Sequence, residues 1–181
     1  MKKFVIACAG SLLLATASAQ AVSVSGEAGR DYVGASAGFG LPVPGLSGNV
    51  GWGHNSDHSN DSYSLGLGYT FSLSNASLTV GAKGVYMNQN HFDDGYGVAL
   101  GGGLQIPLNS SFSLYGEGYY SPDAFSSHVD HYVEAKAGVR WQVFRPLSVD
   151  VGYRYINMAS GESDNDNKVA DTAYVGLGLS F

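Results

Sequence analysis

Glu117, Glu134, Lys136, Arg140, Asp150 and Arg154 share one relation to their surroundings in this 181-residue chain. Each falls on an alternate position of a stretch whose other positions are mostly apolar or glycine. Lys83 and Glu27 hold the same relation to their own stretches. Four acids and four bases gathered on one face can do one of two things. Paired with each other, they fill and lock an interior. Left facing water, they line a passage and select what moves through it.

Other residue types with chemical potential are more weakly placed. His54, His58, His128 and His131 lie near acidic residues, and imidazole with carboxylate can hold a divalent ion. These segments fix no ligand geometry. "ESDNDN" (162–167) alternates polar and acidic oxygens as a calcium loop does, yet lacks its central glycine and distal Glu. Ser126, Ser127, His128 and Asp130 are the residue types of a hydrolytic triad. All sit in one short loop, whereas such a triad needs partners held on separate rigid elements. Gly101, Gly102 and Gly103 lie inside a strand with no helix after them, so they form no phosphate cradle. The residues therefore predict no catalysis, no metal site and no cofactor.

The elements that must position the alternating charges are strands. The chain has 26 Gly and 12 Tyr, against only 5 Pro. Glycine disfavours helix and tyrosine favours sheet, and the composition reads as all-β. Strands are expected at 22–30, 32–40, 46–54, 61–71, 77–88, 95–106, 112–121, 131–143, 147–156 and 170–181. One set of breaks is tight: "LPVPG", "SLSN", "PLNSS" and "FRP". The other set is mostly longer and acidic: "NSDHSND", "NQNHFDD", "SPDAFSSHVD" and "NMASGESDNDNKVAD". Short turns on one side and long loops on the other are the habit of outer-membrane barrels, whose strands need roughly 9–11 residues to cross.

Aromatic residues decide which face meets lipid. With the acidic loops placed outside, the apolar face carries Trp52, Tyr63, Tyr86, Tyr96, Tyr120 and Tyr155 at its outer end. Phe39, Phe71, Phe112, Trp141 and Phe181 stand at the opposite end. Two aromatic bands match the two headgroup interfaces of a bilayer. The reading is a transmembrane antiparallel up-and-down β-barrel of about ten strands, eight remaining possible, with apolar residues on lipid and polar residues in the lumen. Tyr132 and Tyr174 depart from the aromatic parity and are expected at a rim or a bulge. The final strand, ending at Phe181, is expected to pair with the first and so close the ring.

The N-terminus carries Lys2 and Lys3, a short apolar run from Phe4 to Leu14, and "ATASAQA". This is the pattern of a secretory signal peptide, cleaved after Ala19 or alternatively after Ala21, leaving one barrel domain over 20–181. "VIAC" has the look of a lipoprotein box at Cys8, but the apolar run before it is too short. Cys8 is the only cysteine, so the mature chain is expected to lack disulfides and thiolate ligands. A formal net charge of −6 argues against a nucleic-acid partner.

"KGVYMNQNHFDDGYGVALGGGLQ", "YGEGYYSPD", "RPLSVDVGYRYINM" and "NKVADTAYVGLGLSF" resemble the YfaZ family of bacterial outer-membrane proteins, and the likeness covers essentially the whole chain. The resemblance implies a small integral barrel of the porin kind in the outer membrane, surrounded by lipid. It supplies no substrate and no catalytic residue. Families ending on an aromatic imply that Phe181 is read by the barrel-assembly machinery. Two functions remain open at this point: a channel for small polar solutes or ions, and a closed structural or interaction barrel whose lumen is plugged by charge. Arg140 and Arg154, beside Asp150 and Glu134, are expected to be the centre of one interacting set.

Overall fold

Val22 and Phe181 exchange two backbone hydrogen bonds: the Val22 amide donates to the Phe181 carbonyl at 3.1 Å, and the Phe181 amide donates back at 2.9 Å. That seam shuts a single antiparallel sheet into a barrel. The computed structural model describes residues 21–40, 42–56, 60–88, 95–122, 126–127, 131–159 and 167–181. The signal peptide expected at 1–19 lies outside them.

The strands are β1 (Val22–Gly29), β2 (Tyr32–Phe39), β3 (Gly45–Asn55), β4 (Asn60–Leu73), β5 (Ala76–Asn88), β6 (Gly95–Pro107), β7 (Phe112–Pro122), β8 (Ser126–Ser127), β9 (His131–Phe144), β10 (Leu147–Ala159) and β11 (Asn167–Ser180). Ten of them form the wall. Each pairs with its sequence neighbour, β7 passes directly to β9, and β11 returns to β1. The two-residue β8, which the sequence reading did not anticipate, pairs with Tyr96 and Gly97 on β6. Ten strands, not eight, close the ring.

The extra strand pair is possible because the turn at Arg30 and Asp31 is tight. A side chain at Gly29 would meet Thr172 Cγ2 at 2.5 Å, so only glycine lets β1 come this close to β11 there. The Arg30 amide donates to Thr172 Oγ1 and the Ser56 amide to the Asp31 carbonyl, which ties the turn to both flanks. At the opposite rim Gly40 takes φ +79°, a left-handed conformation suited to glycine, and its amide donates to the Ala21 carbonyl.

Alternation sorts the wall as a bilayer demands. On β4, Tyr63, Leu65, Leu67, Tyr69 and Phe71 all face outward and are exposed, while Thr70 between them is fully buried. The outer aromatic band is continuous across four strands, because Trp52, Tyr63, Tyr86 and Tyr96 are successive ladder partners. Tyr120 and Tyr155 continue it on β7 and β10. At the other end Phe112 and Trp141 stack as a cross-strand pair, centroids 6.1 Å apart, with Phe39, Phe71 and Phe181 on the same rim.

Two details depart from expectation. The strands leading to the longest loop run further than their apolar pattern: β10 reaches Ala159 and β11 begins at Asn167. Beyond the lipid a ladder needs no apolar face, only paired backbone groups, so periodicity underestimates its length. The register slips between Ile156 and Asn157, where the polar extension begins. Tyr132 and Tyr174, expected at a rim or bulge, instead point into the lumen and are buried. Glycines make the room: a side chain at Gly152 would collide with Tyr174 Oη at 2.9 Å.

Candidate functional site: the charged lumen

β9 and β10 carry most of the interior charge, and their register poses a problem. Arg140 lies opposite Asp150, a favourable pair, but Arg154 lies opposite Lys136. Like charges facing each other across a ladder are destabilising. Glu27 on β1 resolves this by accepting from both: Lys136 Nζ at 2.7 Å, and Arg154 Nη1. Arg154 Nη2 donates to Glu134 at 2.7 Å. Glu134 also accepts from Lys83 Nζ at 2.8 Å and from Tyr132 Oη at 2.6 Å.

Lys83, Glu134, Arg154, Glu27 and Lys136 thus form one unbroken bridge. It starts on β5, crosses to β9 and β10, and ends between β1 and β9. The Lys83 and Glu134 side chains keep only 4% and 2% of their surface exposed. Burial that complete is affordable to a charge only when it is paired and hydrogen-bonded.

Arg140 belongs to a separate pair. Its Nε and Nη2 donate to the two Asp150 oxygens at 2.7 and 2.9 Å, the bidentate fork that suits guanidinium to carboxylate. Its side chain keeps 32% exposure. The expectation that Arg140 and Arg154 centre one interacting set is therefore corrected: the ladder pair Gly138 and Gly152 lies between them, with Tyr115 of β7 and Tyr174 of β11 filling the space over it. Glu117 points inward on β7, opposite Lys136 in register, and forms no ion pair within 4.0 Å among the described residues.

Inward tyrosines brace the charges, and the sequence reading passed over three of them. Lys83 Nζ sits 4.0 Å above the Tyr119 ring, and the Arg154 guanidinium 5.4 Å from Tyr32. Arg140 lies 5.3 Å from Tyr115, whose hydroxyl hydrogen-bonds that of Tyr174. Each such contact adds attraction that strengthens as the cation loses water. Tyr32, Tyr115 and Tyr119 were legible, since each shares parity with a charge or with an inward glycine on its strand.

The lumen is layered. On the outer side of the bridge, Tyr32, Val85, Ala99, Tyr132, Ile156 and Ala170 pack together, with Tyr119 against them. Beside the bridge lies a cavity of about 190 Å³ that reaches from Ser148 and Ser180 at one end to Tyr32, Val85, Tyr132 and Ile156 of that cluster at the other. Its charged side presents Glu27, Glu117, Lys136, Arg140 and Arg154. Its other side, from β1 to β5, presents Ser25, Ser36, Asn49, Gly51, Ser64 and Thr79. A polar cavity of this size holds several waters.

Of the loop candidates, His54 lies at the outer rim, where its Nδ1 stands 3.0 Å from Asp61 Oδ1 and its ring stacks beside Trp52. His58, His128, Asp130 and residues 162–166 lie outside the described residues, and of Ser126, Ser127 and His131 only the backbone is described. Among the described residues no group of three potential metal ligands comes together.

A family model described as "YfaZ precursor" matches residues 1–181. The chain is 46% identical over 181 residues to "Outer membrane protein YfaZ" of Escherichia coli (strain K12), covering all of both chains. The chain belongs to the YfaZ family. It is an integral outer-membrane β-barrel, and the outward apolar band described above is the surface that meets lipid. Two solved outer-membrane proteins are among those to which the chain is similar. The KdgM porin is 11% identical at a TM-score of 0.46, with 89% of this chain and 99% of that one covered. The outer membrane channel DcaP of Acinetobacter baumannii is 10% identical at a TM-score of 0.47, with 86% of this chain covered. This YfaZ chain spans about half of DcaP, 54% of its length.

Proposed function

We propose that this YfaZ protein is a narrow outer-membrane channel for ions and small polar solutes, with the ion-pair bridge confining the path to one side of the lumen. The observation that carries the reading is the asymmetry of the interior. On β5, β7, β9, β10, β11 and β1, charged and tyrosyl side chains occupy the lumen, while β6 contributes mostly glycine. The facing wall on β2–β4 borders the cavity mainly with small residues, serine, glycine and alanine, together with Asn49, and with Tyr32 at its outer end. An eight-stranded barrel is just filled by its own side chains, whereas the wide porins leave an aqueous channel. Ten strands with one glycine-rich wall support a passage of intermediate width.

The expected result in planar bilayers is a small, steady unitary current in potassium chloride. Liposomes carrying the protein should not swell in isosmotic disaccharide. Rapid disaccharide entry would contradict the narrow path. A second reading, a closed structural barrel, draws support from the apolar layer and from the near-complete burial of Lys83 and Glu134. Membranes that stay silent after verified insertion would favour it.

We further propose that Phe181 forms part of the address read during barrel assembly. The residue is 73% exposed at the inner rim, and its backbone completes the seam with Val22. Deleting Phe181 should lower the amount of assembled barrel and increase periplasmic degradation. An unchanged outer-membrane level would refute this role.

A further inference from the structure

Seven of the eight inward charges are engaged in ion pairs, and Glu117 is left over. The bridge of Lys83, Glu134, Arg154, Glu27 and Lys136 joins three cations to two anions, leaving one positive charge in excess. Arg140 and Asp150 cancel each other. Glu117 is half-buried on β7, borders the cavity, and would have its Cγ 3.1 Å from a side chain placed on Gly103 of β6. Its register partner Lys136 is turned away to Glu27. The carboxylate is therefore held over a glycine gap, facing the cavity, with no cation of the protein within 4.0 Å among the described residues.

We propose that Glu117 is the selectivity residue of the channel, a binding point for permeating monovalent cations whose negative charge overrides the excess positive charge of the bridge. This rests on the channel reading given above. The other groups that border the cavity compete poorly for a passing ion. Lys136 and Arg154 are each committed to carboxylates and keep only 16% and 17% side-chain exposure. Arg140 is more open, but both Asp150 oxygens neutralise it at contact distance. A mobile ion thus meets one fixed charge that has no ion pair of its own among the described residues, and charged groups lining a constriction decide which ion enters. Removing that charge exposes the bridge's excess: the remaining inward groups sum to a net positive lumen.

The test is the reversal potential of the purified mature protein in planar bilayers under a potassium chloride gradient. The wild type should prefer potassium. E117Q should move the reversal potential to the chloride-preferring sign, a several-fold change in the permeability ratio, and E117D should restore the wild-type sign. Correct assembly of each variant is read from its heat-modifiable mobility on gels. A wild type that prefers chloride overturns the assignment without any variant. So does an assembled, conducting E117Q whose reversal potential is unchanged, and that result leaves the channel reading standing. Absence of current in the wild type overturns both.

Discussion

Replacing Glu134 with Gln should destabilise the barrel by about 3–5 kcal/mol, the range for breaking a buried ion pair from one side. Glu134 is the junction of the bridge: it accepts from Lys83, Arg154 and Tyr132 at 2.8, 2.7 and 2.6 Å. Glutamine keeps the volume but places an amide donor where donors already converge. Lys83, with 4% of its side chain exposed, would lose its only ion partner among the described residues. Arg154 would keep Glu27 and so lose less. The check is urea unfolding of the folded protein in detergent or lipid. A loss under about 1 kcal/mol, typical of exposed pairs, would show that water screens the bridge.

Two comparisons sharpen that result. The double variant Lys83→Met, Glu134→Gln should recover part of the loss, because the stranded ammonium is gone; a cycle of the singles and the double isolates the coupling. Arg140→Ala should cost less than Glu134→Gln. It leaves Asp150 without its partner, but the Arg140 side chain is already one-third exposed, so water reaches that pair.

The wall of this barrel was legible because its rules are local. Period-two alternation locates β4 and β9 to within a few residues, and tight breaks opposite acidic ones fix which way each strand runs. Even the tenth strand follows from a parity shift between Val24 and Val33. The aromatic bands are local too, since each ring's parity is set by its own strand.

The interior was less legible because its partners are set by closure. Lys83 and Glu134 are 51 residues apart and meet only because β5 and β9 face each other across a ring of a particular width. Glu27 stands 109 residues from Lys136 and 127 from Arg154. Nothing in the neighbourhood of Arg154 reveals that its ladder partner is another cation, or that a third strand supplies the remedy. The inward turn of Tyr132 and Tyr174 has the same origin. An aromatic on the polar face looks like an error of parity until Gly152 is seen to leave space beside Tyr174 and Glu134 to accept from the Tyr132 hydroxyl. Sequence therefore names the inward set, while the pairing within it waits on the ring.

The sorting of faces makes its own strong demand on a single strand. Leu67→Arg should destabilise the folded barrel by about 2–4 kcal/mol, as cations do on the lipid face near the bilayer midplane. Leu67 lies midway between Tyr63 and Phe71, the β4 members of the two aromatic bands, and is 58% exposed outward. Its ladder neighbours are Gly48 and Ala82, which offer no polar side chain, so an arginine there must reach along the wall to a headgroup or draw water inward. Ser64→Arg places the same charge three residues away on the opposite face. Ser64 borders the cavity beside Gly51, where a long polar side chain finds both space and water. That variant should stay within about 1 kcal/mol of the parent, and should narrow the path instead, lowering the unitary current. Urea unfolding from lipid vesicles measures both substitutions on one scale. Equal losses for the two would mean that β4 does not separate lipid from lumen at this depth, and the inward assignment of its Ser and Gly positions would fall with it.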